Sequence, residues 1–414
     1  MRLLAAFTGI IMVLLHQGYC GGFQLNLHGQ RQLGMAHTGT GLALDGSSVF
    51  FNPGALGFQP RGSVMIGSSA VFPVTSFLAR TPSVYQVNMD TLLYTPIYLY
   101  LSWNGKADIV KEKGFSFGIS VNNPYLGGSK WPDDWKGKYI SQEFAINTYF
   151  IQPTISYKFN EQLGIGLGFS YGFASLFNRK AIKGDGPNGS EGAAILSGTG
   201  RGIGINAGIF LKPNEQVSLG ISYRSSVRID ILHGVAKFDV PESLADVFPD
   251  MGFSTDFTLP GVLNIGIGYR PDERWLLAFD LNFTGWSSFD SLAFTFDQEI
   301  PPVNKWPARR GFINSTTLRI GGEYQANQKI RFRGGAYYDK SPVPEGFVSP
   351  EIPDADRIGL CLGMGINLVE RLYFDLTWLY EFTGERTAIF DEAVFGGTYQ
   401  TSTNIVGVGL RYDF

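Results

Sequence analysis

The C-terminal stretch reads Asn404-Ile405-Val406-Gly407-Val408-Gly409-Leu410-Arg411-Tyr412-Asp413-Phe414. Val406, Val408, Leu410, Tyr412 and Phe414 fall on one face of an extended chain, and Gly407, Gly409, Arg411 and Asp413 on the other. This alternation is the period of a β-strand. The same two-faced pattern recurs upstream. Leu372, Phe374, Leu376, Trp378, Tyr380 and Phe382 alternate with Tyr373, Asp375, Thr377 and Glu381. Trp275, Leu277, Phe279, Leu281 and Phe283 alternate with Ala278, Asp280, Asn282 and Thr284, and Ile203, Ile205, Ala207, Ile209 and Leu211 with Gly202, Gly204, Asn206 and Gly208.

A soluble β-sandwich also alternates, but strand after strand here carries one face of large apolar residues and one of glycine, serine, asparagine and charge. The chain has Gly 53, Tyr 19 and Phe 33 in 414 residues, a composition suited to many strands, tight turns and aromatic belts. Connections alternate as well. Short polar turns (160–162, 212–216, 270–274, 325–328) separate long segments expected as loops (123–138, 178–200, 234–256, 287–308, 340–356, 384–398). The fold class is therefore all-β: a transmembrane antiparallel up-and-down β-barrel of about fourteen strands, an even number as expected of a single-chain barrel. The first strand should begin near Gly62, and the last ends at Phe414, an aromatic terminus resembling the signal read by the barrel-assembly machinery.

Residues 1–20 read as a signal peptide, with Arg2, an apolar run Leu3–Leu15, a polar break at His16-Gln17, and Gly18 and Cys20 at a cleavage site. Lipidation of Cys20 is disfavoured by Gln17 and Tyr19. Beyond this segment no run of roughly 18 apolar residues remains, so spanning helices are excluded. Mean hydropathy is +0.01 and the pI about 5.9, which leaves no basic footprint for nucleic acid. Residues 21–58 do not alternate, and they read as a compact plug inside the lumen of a barrel formed by 59–414.

The opening Gly22-Phe23-Gln24-Leu25-Asn26 and the run Val49-Phe50-Phe51-Asn52-Pro53-Gly54-Ala55-Leu56 resemble the hatch of the FadL family of outer-membrane transporters (OmpP1/FadL/TodX-like). The family's usual Asn-Pro-Ala is here Asn52-Pro53-Gly54, with Ala55 following. Val121–Tyr125, Ser222–Val227, Thr258–Pro260, Trp286–Phe289, Ser341–Pro344 and Ile352–Arg357 match in the same order. The resemblance implies an N-terminal hatch, an outer hydrophobic groove above a deeper pocket, and a kinked third strand. Through that kink a ligand such as a long-chain fatty acid would exit sideways into the membrane.

On this chain the implied hatch residues are Phe50, Phe51, Asn52, Pro53 and Gly54. Asn52-Pro53 reads as a turn touching the wall opening or as a helix cap, and the resemblance favours the first. Asn122, Asn123 and Pro124 mark the strand-three opening, although Pro124 by itself reads more simply as the end of the strand. Arg179, Lys180, Lys305, Arg309 and Arg310 are the candidates for holding a ligand carboxylate, and each also reads as a loop charge near lipopolysaccharide. Trp131, Trp135, Phe248 and Phe253 are candidates for the outer groove or for a girdle.

No enzyme is expected. Ser116 and Ser170 occur in Gly-x-Ser-x-Gly strings but lie mid-strand, without the strand-turn-helix bend of a nucleophile elbow. The mature chain's histidines are His28, His37 and His233. The first two lie in the plug, and His233 shares the expected lipid-facing parity of Val227, Ile229 and Ile231. No metal-ligand spacing and no cofactor motif occur. The expected partners are a hydrophobic small molecule, outer-membrane lipid and lipopolysaccharide, with a monomeric barrel. The alternatives are a general porin, a channel for aromatic hydrocarbons, and a surface adhesin.

Overall fold

A computed structural model describes residues 22–104, 113–184, 190–298, 305–306 (backbone only) and 309–414. The expected signal segment lies outside these residues. The chain forms a closed antiparallel barrel of fourteen strands. They are β1 (Ser63–Ala79), β2 (Ile97–Asn104), β3 (Gly114–Asn122, resuming as Leu126–Lys130), β4 (Glu143–Lys158) and β5 (Leu163–Ile182). Next come β6 (Gly192–Leu211), β7 (Val217–Arg224 and Val227–Asp239), β8 (Met251–Leu259 and Val262–Tyr269), β9 (Trp275–Thr284) and β10 (Ser315–Gln325). The wall is completed by β11 (Ile330–Asp339), β12 (Arg357–Val369), β13 (Leu372–Thr383) and β14 (Phe395–Asp413). β14 pairs with β1 from Ser63↔Asp413 to Ala79↔Gly397, and the Phe414 amide donates to the Gly62 carbonyl (2.9 Å). Closure leaves no free edge along this seam, as lipid requires.

The apolar face of the C-terminal stretch points outward and the glycine-rich face inward. Two strands reverse this arrangement part-way along. In β7, Ile221 and Tyr223 point out, but beyond Ser225-Ser226 the residues Val227, Ile229 and Ile231 are buried inside. In β8, Leu263 and Ile265 point out, while across Pro260-Gly261 Leu259, Phe257 and Phe253 point in. His233 is exposed as expected, but the shared parity with Val227, Ile229 and Ile231 is corrected. A register shift between Ile231 and Gly234 leaves both Leu232 and His233 exposed, on the opposite side from Val227, Ile229 and Ile231. Above the breaks the barrel interior is an apolar cluster that includes Ile229, Phe257, Trp286 and Phe289. The strands also run further than expected. β5 reaches Ile182, β7 reaches Asp239, and β3 resumes inside the segment 123–138 that alone looks like a loop.

Residues 22–58 lie within the barrel and include two short helical turns, α1 (Gln30–Leu33) and α2 (Ser48–Phe51), and a 3-10 turn, Pro53–Phe58. Their polar groups bond to inward-facing positions around the wall. The Gln30 side chain donates to Ser69, Asp280 accepts from the Gly39 and Thr40 amides, and Ser222 donates to the Phe51 carbonyl. Arg31 makes a two-pronged contact with Glu323, which also binds Arg333, itself paired with Asp375. Backbone approaches the wall where glycine removes the side chain. A Cβ on Gly220 would lie 1.8 Å from the Thr40 carbonyl oxygen, and one on Gly321 2.1 Å from that of Met35. Gly220→Val should therefore leave the barrel folded but displace the segment, raising single-channel conductance from closed to a resolved open level. Unchanged closure would show that the contact does not hold the segment.

Candidate functional site

The wall is incomplete between β2 and β3. β2 pairs with β3 up to Tyr98↔Asn122, and with β1 up to Ile97↔Ser68. Preceding it in the chain, Gln86–Asn88 and Tyr94 pair only with β1. On the other side of the gap, Leu126–Lys130 pairs only with β4. The two edges meet again at the Asp90 amide, which donates to the Lys130 carbonyl (2.8 Å). The cause is a bulge. From Asn122 to Leu126 the chain takes four steps while its β4 partners, Phe150 to Asn147, take three. Pro124 sits within it, where a residue without an N–H is tolerated.

Two devices satisfy the freed backbone. The Asn123 side chain accepts from the Ile97 amide (3.0 Å) and donates to the Thr148 carbonyl (2.7 Å), bridging β2 to β4. The N-terminal segment supplies the rest. The Leu25 amide donates to the Pro124 carbonyl (3.0 Å), the Leu126 amide donates to the Phe23 carbonyl (3.1 Å), and Gln24 bridges to Tyr125. Phe23 is fixed edge-on against Trp286 and Phe289 at 5.0 and 5.1 Å. At Gly22 the amide donates to Asp354 (3.1 Å) and the carbonyl accepts from Arg357 (2.9 Å).

Behind this strip lies a cavity of about 190 Å³ that is open to solvent. Leu25, Leu27, Val71, Met89, Leu126 and Phe144 give it an apolar lining, with Asp90, Glu351, Asp354, Arg357 and Glu381 as its charged members. Gln24, Asn26, Thr75, Thr383, Thr401 and Thr403 also line it, so the walls are mixed, with the apolar side chains supplying most of the exposed surface.

A family model described as outer membrane protein transport protein (OMPP1/FadL/TodX) matches residues 11–414. The chain belongs to this family. Among FadL-family relatives, the long-chain fatty acid transport protein of Escherichia coli (strain K12) is 24% identical over 402 residues, covering 87% of each chain. The structure of a Pseudomonas aeruginosa FadL homologue superposes with a TM-score of 0.83 at 19% identity, covering 95% of this chain and 100% of that one. The P. putida toluene transporter TodX gives a TM-score of 0.69 at 15% identity, covering 96% and 99%. FadL-family membership identifies the chain as an outer-membrane β-barrel transporter of hydrophobic compounds.

The expected FadL-type residues fall in several places. Asn122, Asn123 and Pro124 stand at the wall gap, and the strand continues past Pro124 instead of ending there. Asn52, Pro53 and Gly54 are not at the gap, which corrects the favoured reading of that turn. The Asn52 side chain accepts from the Gly54 amide (3.0 Å), capping the 3-10 turn, and donates to the Thr40 and Ile209 carbonyls. Pro53 and Gly54 press on Gly166 and Gly208 of β5 and β6. Phe51 packs against His37, and Phe50 carries the link to the gap. His28 stacks on Phe50 at 4.1 Å, with the Arg224 guanidinium 4.0 Å from the same ring. His28 Nε2 lies 3.1 Å from the Asn123 carbonyl.

The cationic candidates do not converge on the cavity. Arg179 pairs with Asp133 (3.0 Å), and exposed Arg309 lies 3.9 Å from Asp290. Buried Arg310 pairs with Glu351, and Lys180 stands in the electrostatic reach of Glu351 and Glu392. The side chain of Lys305 lies outside the described residues. Trp131, Trp135 and Phe253 do not line an open groove. They are fully buried, with the two indoles stacked 4.4 Å apart, and Phe248 packs against the same cluster. The face reversal in β8 turns Phe253 inward, while Trp131 and Trp135 are covered by Phe77 of β1 and by Tyr399 and Phe395 of β14. Sequence reasoning assigned no role to the charged cluster Asp354–Arg357–Glu381 and Glu351, although the matched stretch Ile352–Arg357 contains two of its members.

Burial, aided by Arg224, pushes the His28 imidazole down to about 3. Burial with Arg319, His28 and Arg224 holds His37 well below its ordinary value. Both rings are thus neutral when folded and gain protons first in the unfolded state. Their contribution is complete above the ordinary histidine pKa of about 6.5 and is lost as pH falls below it, on the order of 2 kcal/mol for His28 between pH 7 and 5, with His37 acting in the same direction. Acidification to pH 5 should raise channel conductance, and His28→Gln with His37→Gln should abolish the pH response. A response that persists in the double variant would exclude these rings as its source.

Proposed function

We propose that residues 22–58 act as a hatch and that the β2–β3 gap is the exit by which a hydrophobic compound leaves the cavity for the membrane. The carrying observation is a pair of strand edges that do not pair with each other, with a cavity behind them; the Asn123 side chain and the Asp90–Lys130 bond close the two ends of the gap, and Phe23–Leu25 cover the β3 edge between. Capture occurs on the long-loop side. Movement of the N-terminal strip then uncovers the gap. An apolar ligand keeps about 0.8 kcal/mol per buried CH₂ by passing from cavity to lipid without crossing water. Long-chain fatty acids are the substrate class supported by the curated relatives, while the toluene transporters that share the fold support smaller aromatics as the second class. The barrel works as a monomer in outer-membrane lipid, exported by its signal segment, with Phe414 presented to the assembly machinery.

Deleting Pro124 restores equal step numbers on β3 and β4 and should let β2 and β3 pair through. Uptake of a radiolabelled long-chain fatty acid by cells should then fall at least ten-fold, while the purified barrel keeps its heat-modifiable mobility and closed conductance. Undiminished uptake would contradict the sideways exit.

A further inference from the structure

The cavity's charges make a pattern that the lipophile reading does not require. Its lining carries four carboxylates, Asp90, Glu351, Asp354 and Glu381, against one guanidinium, Arg357. That guanidinium is already spent, since it contacts Asp354 (2.7 Å), Glu381 (3.3 Å) and Asp339 (3.8 Å). Two further cations stand behind the lining: Lys180, in the electrostatic reach of Glu351 and Glu392, and Arg310, 5.5 Å from the ring of Phe144, a lining residue. Arg310 is buried and ion-paired with Glu351, whose other oxygen accepts from the Asn178 amide (2.8 Å). Glu351 therefore occupies the position in which Arg310 and Asn178 would otherwise receive an anion from the cavity.

We propose that Glu351 is a specificity-determining residue that restricts the cavity to ligands with an uncharged head group: a long-chain alcohol, an ester, a hydrocarbon, or a fatty acid in its protonated form. The inference rests on reading the cavity as the lipophile site. A ligand carboxylate would face a surplus of like charge. To reach Arg310 it would also have to displace Glu351 and leave that carboxylate buried without its cation, a costly exchange. A neutral head group meets neither penalty. Discrimination of this kind works by repulsion of the wrong ligand, while the apolar lining holds either chain equally.

The test is a competition on the full-length purified barrel. Equimolar oleate and methyl oleate are added at pH 8, and the bound species are counted by native mass spectrometry. Wild type should carry the ester over the acid by at least ten-fold, about 1.4 kcal/mol. Glu351→Gln, which keeps the shape and removes the charge, should bring the ratio to one or below. Arg310→Gln, which leaves Glu351 in place, should keep the ester preference at ten-fold or more. Equal or greater binding of oleate by wild type overturns the proposal, with no variant needed, and so does a ratio that Glu351→Gln leaves unchanged. Binding of neither ligand by wild type overturns the lipophile reading itself along with it, whereas oleate binding alone overturns only the restriction to uncharged head groups.

Discussion

A backbone amide or carbonyl facing lipid without a partner costs several kcal/mol, so a membrane barrel tolerates a break in its ladder only where another group completes the bonding. In this chain the break lies between β2 and β3, and the completing groups come from elsewhere. The Asn123 side chain joins β2 to β4, and residues 23–25 pair with the displaced edge of β3. The hole in the wall and the position of the N-terminal strip are thus one constraint. The strip cannot leave without exposing the edge of β3, so on the proposed mechanism its movement would also open the wall.

The remainder of the interior follows from how the strip is held. Its far part is fastened to the wall by Arg31–Glu323, Asp280 and close backbone contacts at Gly220 and Gly321, while its first residues hang on the bulge and on Asp354 and Arg357. The His28–Phe50–Arg224 stack joins the two parts. Firm anchoring at one end and a few exchangeable bonds at the other suit a segment that moves locally while the lumen stays filled.

The barrel itself was legible in residues such as Val406, Val408 and Leu410, because a lipid-facing strand has to alternate. The chamber was not. Apolar residues of β7 hold odd positions from Ile221 through Ile231, and those of β8 from Phe253 through Ile265, so the numbering runs on unbroken while the face they present reverses at Ser225-Ser226 and Pro260-Gly261. An irregular backbone step leaves no trace in a count of positions. For the same reason Phe253 looked like a surface aromatic and is an interior one. Glu351 and Arg310 meet across loop geometry that their spacing does not encode, whereas the trouble at Asn123-Pro124 was visible because proline cannot serve a ladder.

The sideways path is tested most directly by photo-crosslinking a diazirine-bearing long-chain lipophile to the barrel in lipid bilayers and mapping the labelled residues. Label on Leu126, Met89 and Tyr94, beside the gap, is the expected result. Label on Leu42, Phe58 and Phe210, which line the separate cavity at the short-turn end, would mean that ligand passes down the axis instead, and would contradict it.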